Sequence, residues 1–321
     1  MAVIITHWHF AQFSSSQKEL TFPQVSSLLD DLADMGSLHL VFSGGEPFLR
    51  EDFFDIAFYA KSKHFTIKIF TNGSLIDEQA AEDLFQLAPL QIEMSIYGIT
   101  PEVHDTVTKK EGSFKKLLET VALLKKHNLR VELKSVLLKD NFYQARELER
   151  FSRSIGADDF RLSTDISPKN DGSKAPQQHQ IDEMQLRDFL SQGNNLPAVP
   201  SEYLERPLDK PLCQTGVVGC YVSPYGDVYP CIALLVPMGN IREKSFREIW
   251  HQPYALRDEL DSLKAYGDLP LCKKCEYVSF CNNCIGLTHL ETGDMRGCYN
   301  ALKTASRIDY ELFYKKGGKG G

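Results

Sequence analysis

All eight cysteines of this 321-residue chain fall in its last third: Cys213, Cys220, Cys231, Cys272, Cys275, Cys281, Cys284 and Cys298. The middle four read C-x2-C-x5-C-x2-C. Thiolates bind Zn²⁺ or iron–sulfur clusters, and eight of them would fill two four-cysteine sites. On spacing alone, a structural zinc site in the C-x2-C-x5-C-x2-C core and a pair of iron–sulfur sites are both open. Merely buried free cysteines would not group this way.

A second candidate lies near the start. Ser43-Gly44-Gly45-Glu46-Pro47 directly follows the apolar run Leu38 to Phe42. Two glycines let a ligand approach the backbone closely, and a carboxylate accepts hydrogen bonds from an ammonium group. Taken alone, the segment is also an ordinary strand-to-helix turn with an exposed Glu. Thr71-Asn72-Gly73, after the next apolar run, has the same two readings.

The elements that must position these residues are legible from periodicity. Ala2 to Thr6 reads as a short strand, Phe22 to Met35 as a helix stopped by Gly36, and Leu38 to Phe42 as a continuous apolar strand. The alternation continues with helices at 53–60, 78–87, 114–127 and 144–154, and strands at 66–70, 90–96, 131–138 and 160–163. Six strands separated by helices predict a parallel sheet with right-handed crossovers, because parallel neighbours need a helix-length return. The pattern leaves open whether the sheet is flat or curled into a barrel. The glycine and asparagine motifs fall at carboxyl ends of successive strands, where parallel α/β folds place ligands.

From about Ser167 the texture becomes polar and proline-rich, with one helix near 181–190 and prolines at 197, 200, 207 and 211. This divides the chain into a first domain (1–195), a linker (196–210), a cysteine domain (211–305) and a tail (306–321), whose last residues, Lys315 to Gly321, read as disordered. A formal net charge of −7 gives no electrostatic case for nucleic acid or an anionic membrane. No apolar run approaches the roughly 20 residues that cross a bilayer, and Met1 to Phe10 does not read as a signal peptide. The expectation is a soluble, cytoplasmic protein, in whose reducing surroundings paired cysteines are metal ligands more often than disulfides.

Cys213-x12-Gly226-x4-Cys231, the four-cysteine core and Cys298 resemble the SPASM domain, the C-terminal extension of many radical SAM enzymes. Gly-Asp-Val-Tyr-Pro-Cys at 226–231, Gly239-Asn240-Ile241 and Glu291-Thr292-Gly293-Asp294 extend the likeness. The resemblance implies two auxiliary 4Fe-4S clusters, one on Cys213, Cys220, Cys231 and Cys284 and one on Cys272, Cys275, Cys281 and Cys298. One spacing departs from the usual form: Cys281 and Cys284 enclose two residues where three are common.

The same family implies an α/β fold, a partial (β/α)6 TIM-like barrel upstream of the small cysteine-rich SPASM domain. Gly44, Gly45, Glu46 and Pro47 match its Gly-Gly-Glu-Pro motif, which binds the methionyl amine of S-adenosylmethionine. Thr71 and Asn72 match a second strand-end position. Ser95, in Ser95-Ile96-Tyr97-Gly98, matches a third, with Tyr97 in place of the family's Asp. His104-Asp105 and Gly112-Ser113-Phe114 continue the match. Lys134 and Arg161, on the fifth and sixth strands, are placed either to meet the cofactor's carboxylate or to form salt bridges. The implied activity is peptide maturation: a ribosomal peptide or protein substrate, hydrogen abstraction by a 5′-deoxyadenosyl radical, and an electron donor such as a flavodoxin or ferredoxin. Two further readings stay open, a non-catalytic iron–sulfur protein that relays electrons or binds peptide and a zinc-stabilised binding module.

Radical SAM chemistry also needs C-x3-C-x2-C in the loop after the first strand, and no cysteine precedes Cys213. His7-Trp8-His9-Phe10 stands where the family has His-Cys-Tyr-Phe, with Trp8 at the third ligand position. His7 and His9 are more simply packing or surface residues than ligands. Either the first residues depart from the natural reading frame, or this is a degenerate member. As written, the chain is expected not to cleave S-adenosylmethionine.

Overall fold

The computed structural model describes residues 2–7, 18–169, 172–192, 208–209, 212–254 and 256–317. Trp8, His9 and the loop through residue 17 lie outside the described residues, as does the linker 196–210 apart from Leu208 and Asp209.

The chain runs β1 (Ala2–His7), α1 (Phe22–Asp34), β2 (His39–Gly44), α2 (Phe53–Ser62), β3 (Thr66–Thr71), α3 (Glu78–Leu87) and β4 (Gln91–Ser95). Two helices follow, α4 (Pro101–Thr108) and α5 (Ser113–Lys126), then β5 (Val131–Val136), α6 (Ala145–Ser154) and β6 (Asp159–Ser163). The remainder comprises α7 (Glu183–Gln192), β7 (Gly219–Val222), β8 (Asp227–Tyr229), β9 (Gly239–Asn240), α8 (Phe246–His251), α9 (Arg257–Ser262), α10 (Ile285–Thr292) and α11 (Asn300–Gly317).

Local chemistry sets the helices. Thr21 and Gln24 form a capping box at the start of α1, whose buried Val25, Leu28, Leu29 and Leu32 repeat at helical spacing. Asp77 caps α3 by accepting from the Ala80 N–H. Strands alternate instead. In β3, Ile67 and Ile69 are buried while Thr66, Lys68 and Phe70 are half-buried.

The strand order β6-β5-β4-β3-β2-β1-β7-β8-β9 decides the architecture. The first six strands are parallel and neighbour one another in chain order. Winding in one direction by right-handed crossovers collects every helix on one face, whereas a doubly wound sheet needs a reversal of order. The core accordingly joins Leu40, Phe42, Ile69 and Leu133 of the strands to Leu29, Ile56, Leu84 and Val121 of the helices. The opposite face carries Lys68 of β3, Glu93 of β4, Lys134 of β5 and Arg161 of β6. This is the expected partial (β/α)6 barrel.

The cysteine segment is not a separate body. The chain divides into two compact units, residues 1–163 with 216–254, and residues 164–215 with 255–321. β7 pairs in parallel with β1, in the register Val3↔Cys220 and Ile5↔Val222, and β8 and β9 continue the sheet antiparallel. A boundary near residue 211 therefore cuts across the first unit: an unpaired edge at β1 would expose its backbone groups, and β7 covers it. The second unit packs α7 against α11 through Arg187–Glu311 (2.5 Å) and Arg307–Glu183 (2.6 Å) ion pairs. The tail expected from residue 306 is, as far as Gly317, the rest of α11, which buries Ser306 and Ile308. Among the described residues no helix is long and apolar enough to cross a membrane.

Candidate functional site

At the carboxyl end of β2 the backbone turns at Gly44, with φ of 137°, a region open to glycine. Glu46 follows and is 4% exposed. Its Oε1 accepts from the Thr71 hydroxyl at 2.7 Å and its Oε2 from the Asn72 N–H at 2.8 Å. The Phe48 N–H also donates to Oε1, at 3.3 Å, starting the short 3₁₀ turn that begins at Pro47. Burial pushes the Glu46 carboxyl above its usual range, and the donors from Thr71, Asn72 and Phe48 oppose that shift. The two strand-end motifs thus form one hydrogen-bonded unit in which the Glu46 carboxylate already has partners.

Gly73 completes the second motif. Its φ is +75°, and a Cβ there would meet the Met94 sulfur at 2.6 Å and Thr120 at 3.2 Å, so the turn excludes side chains. Ser95 ends β4. Beyond it, the Tyr97 N–H donates to Nδ1 of buried His104, whose pKa burial lowers. Asp105 accepts from the Gly112 and Phe114 N–H groups and the Ser113 hydroxyl. The Phe114 N–H contributes most to holding the Asp105 carboxyl below its usual range. His104-Asp105 and Gly112-Ser113-Phe114 therefore brace the β4–α5 connection.

Lys134 and Arg161 sit side by side across β5 and β6. Lys134 Nζ is ion-paired with Glu93 and lies 4.4 Å from the Phe70 ring centroid. Arg161 Nε is 2.6 Å from Glu132 Oε1. Both glutamates are buried, directly cross-strand from each other on β4 and β5. Lys68 gives Glu93 a second cation at 3.3 Å, and the Gln91 amide donates to Glu132. Two adjacent buried carboxylates would repel, and the three cations offset that repulsion. Of the two sequence readings for Lys134 and Arg161, the salt bridge is the one these contacts display. Glu93 and Glu132 were not singled out from sequence, although a charge at alternate positions of Gln-Ile-Glu-Met-Ser and Val-Glu-Leu-Lys-Ser-Val marks them.

The thiols fall into two groups. Cys272, Cys275, Cys281 and Cys298, all in the second unit, line one cavity of about 350 Å³ with Asn283, Lys303 and Ser306. Burial and then the neighbouring Cys281 and Cys275 push the Cys298 thiol up. Among the described residues, no three His, Cys, Asp or Glu side chains converge to hold a single metal ion. Four thiolates lining one volume are the donor set of an iron–sulfur cluster or of Zn²⁺.

The other four are divided between the units. Cys220 and Cys231 belong to the first, and Cys213 and Cys284 to the second. Cys220 packs in the apolar core with Val222, and burial raises its thiol. Cys213 is exposed, 3.1 Å from the Thr215 hydroxyl. Cys284 caps α10, its sulfur accepting from the Leu287 N–H. The Gly-Asp-Val-Tyr turn has a structural role: Asp227 accepts from the Asn240 amide at 2.8 Å, tying β8 to β9.

The Radical SAM superfamily matches residues 6–151, and the SPASM iron-sulfur cluster-binding domain matches residues 213–284. An AdoMet-dependent heme synthase of Methanosarcina barkeri is 27% identical over 306 residues, covering 86% of this chain and 85% of that protein. The antilisterial bacteriocin subtilosin biosynthesis protein AlbA of Bacillus subtilis is 26% identical, covering 83% of this chain and 60% of that protein. The fold matches native anSMEcpe with bound AdoMet and Cp18Cys peptide with a TM-score of 0.71 at 17% identity, over 98% of this chain and 97% of the other. With both domains matched in order on a one-way-wound sheet, the chain belongs to the radical SAM/SPASM family.

Proposed function

We propose that this protein is a peptide-maturase-type member of its family, holding two auxiliary 4Fe-4S clusters and S-adenosylmethionine. The observation that carries the reading is the cavity walled by Cys272, Cys275, Cys281 and Cys298. These four are assigned to one cluster, and Cys213, Cys220, Cys231 and Cys284 to the other. Such clusters supply one-electron chemistry. Gly44, Gly45, Glu46, Pro47, Thr71, Asn72 and Ser95 offer S-adenosylmethionine a preorganised strand-end surface, with Lys134 and Arg161 beside it. The open face of the sheet orients the substrate.

A ribosomal peptide or protein is the substrate this reading favours, supported by similarity to the subtilosin biosynthesis protein and by likeness in fold to the peptide-bound anSMEcpe. A second reading, a haem precursor, is supported by the match to the heme synthase along most of both chains. The electron donor is a flavodoxin or ferredoxin, and the site of action is the cytoplasm.

Within these 321 residues no thiolate precedes Cys213, and the reading is that the chain does not cleave S-adenosylmethionine. Anaerobic reconstitution tests the proposal. About 8 Fe and matching sulfide per chain support two clusters, about 12 contradict the assignment of ligands, and zinc without sulfide leaves a zinc-stabilised binding module. S-adenosylmethionine binding without 5′-deoxyadenosine release under reduction supports the reading, and release overturns its last part. Full clusters with no binding leave an electron relay or a peptide-binding protein. Binding of a peptide in preference to a porphyrin separates the two substrate classes.

A further inference from the structure

Asn283 is a buried polar side chain that the fold leaves half-satisfied. It is 9% exposed and lines the same cavity as Cys272, Cys275, Cys281 and Cys298. Its backbone N–H donates to the Tyr266 hydroxyl at 3.0 Å, and that hydroxyl donates to the Cys281 carbonyl at 3.0 Å. Its Oδ1 accepts from the hydroxyl of fully buried Thr288 on α10, at 3.2 Å. Backbone and carbonyl oxygen are thereby both held. The amide Nδ2 is buried and has no hydrogen-bond partner.

Buried amide donors in native interiors are paired, so an orphan calls for a partner the protein atoms do not supply. Asn283 shares the cavity with the four thiols and with Glu276, Lys303 and Ser306, and the partner that four thiols bring is a cluster. Sulfurs of iron–sulfur clusters accept hydrogen bonds, and those bonds are among the factors that set the reduction potential. Reduction adds negative charge, so a donor stabilises the reduced form more than the oxidised one.

We propose that Asn283 donates a hydrogen bond from Nδ2 to a sulfur of the cluster held by Cys272, Cys275, Cys281 and Cys298, and thereby raises its reduction potential. The inference rests on the iron–sulfur reading of that cavity and goes beyond it by naming a residue that tunes the cluster without ligating it. It also gives the two-residue spacing between Cys281 and Cys284 a role. Tyr266 and Thr288 clamp the short Asn282-Asn283 loop so that the amide stays beside the ligands.

The test is an EPR-monitored redox titration of the reconstituted full chain. Asn283→Ala is expected to lower the equilibrium constant for reducing one cluster about tenfold, about 59 mV more negative for a one-electron couple, with iron content and the other cluster unchanged. Asn283→Gln, which keeps an amide donor, recovers part of the shift, and Asn282→Ala, at an exposed neighbour, causes none. Unchanged potentials in Asn283→Ala at full iron content overturn the proposal. Should that variant fail to take up iron, the wild-type chain labelled with ¹⁵N-asparagine decides. Asn283 is the one asparagine among the described residues of this cavity, so a ¹⁵N coupling to the reduced cluster supports the bond and its absence overturns it. Failure of the underlying reading shows earlier and differently, as a wild-type chain without sulfide, and overturns both.

Discussion

The Thr71 hydroxyl donates to Glu46 Oε1 at 2.7 Å, a bond spanning 25 positions of sequence that joins the ends of two neighbouring strands. Thr71→Val removes it and leaves a buried carboxylate oxygen short of a donor, at a cost of about 1–3 kcal/mol. The pH dependence follows from the raised pKa of Glu46, whose ordinary value is 4.5. A carboxyl raised by folding binds its proton more tightly in the folded state, so this group favours folding below about pH 4.5 and opposes it as pH rises through the folded pKa. Urea unfolding at pH 4.5 and 7.5 should therefore show a larger penalty for Thr71→Val at the higher pH.

The two barrel cations should not be equivalent. Lys134→Met leaves Glu93 with Lys68 at 3.3 Å, whereas Arg161→Met leaves Glu132, among the described residues, with the Gln91 amide. Glu132 is fully buried. Arg161→Met is expected to cost on the order of 2 kcal/mol, less than a wholly buried pair because Arg161 is 62% exposed, and Lys134→Met less again. Chemical denaturation of the two variants measures the difference.

Tyr266→Phe deletes the hydroxyl that bridges the Cys281 carbonyl and the Asn283 N–H, on a side chain only 4% exposed. A buried N–H and a part-buried carbonyl lose their partner, a cost of about 1–3 kcal/mol. The reconstituted variant should release iron to a chelator several-fold faster than the wild type, with a lower Tm. Equal release rates would show that the loop is held by other contacts.

Asp105 stabilises the β4–α5 connection as a carboxylate, and its pKa lies below the ordinary value of 3.8. A depressed pKa means stability present above the unfolded value and lost as pH falls through the folded one. The stability difference between wild type and Asp105→Asn should be constant above about pH 5 and shrink below about pH 4, as thermal melts across that range would show.

Removing Cys298 separates the two thiol groups. Cys298→Ala should lower reconstituted iron from about 8 to about 4 per chain, with the remaining cluster on the other set. Loss of all iron would show that the two sets are interdependent.

The sequence by itself determined the alternation of strands and helices, the two strand-end motifs and the grouping of the cysteines. These depend on periodicity and residue type within a few positions, which local propensity and turn chemistry control. Barrel over open sheet was decided by strand order, a relation among segments distant in the chain. The same holds for β7, whose pairing with β1 moves residues 216–254 into the first unit across more than two hundred positions. Lys134 and Arg161 were visible as cations, but their partners Glu93 and Glu132 needed the strand register. The family resemblance groups Cys272, Cys275, Cys281 and Cys298, but the cavity they line, and Asn283 standing among them with a donor unspent, belong to the tertiary structure. Spacing names the ligands a chain can offer, but burial and the geometry of distant contacts decide which are gathered and what surrounds them.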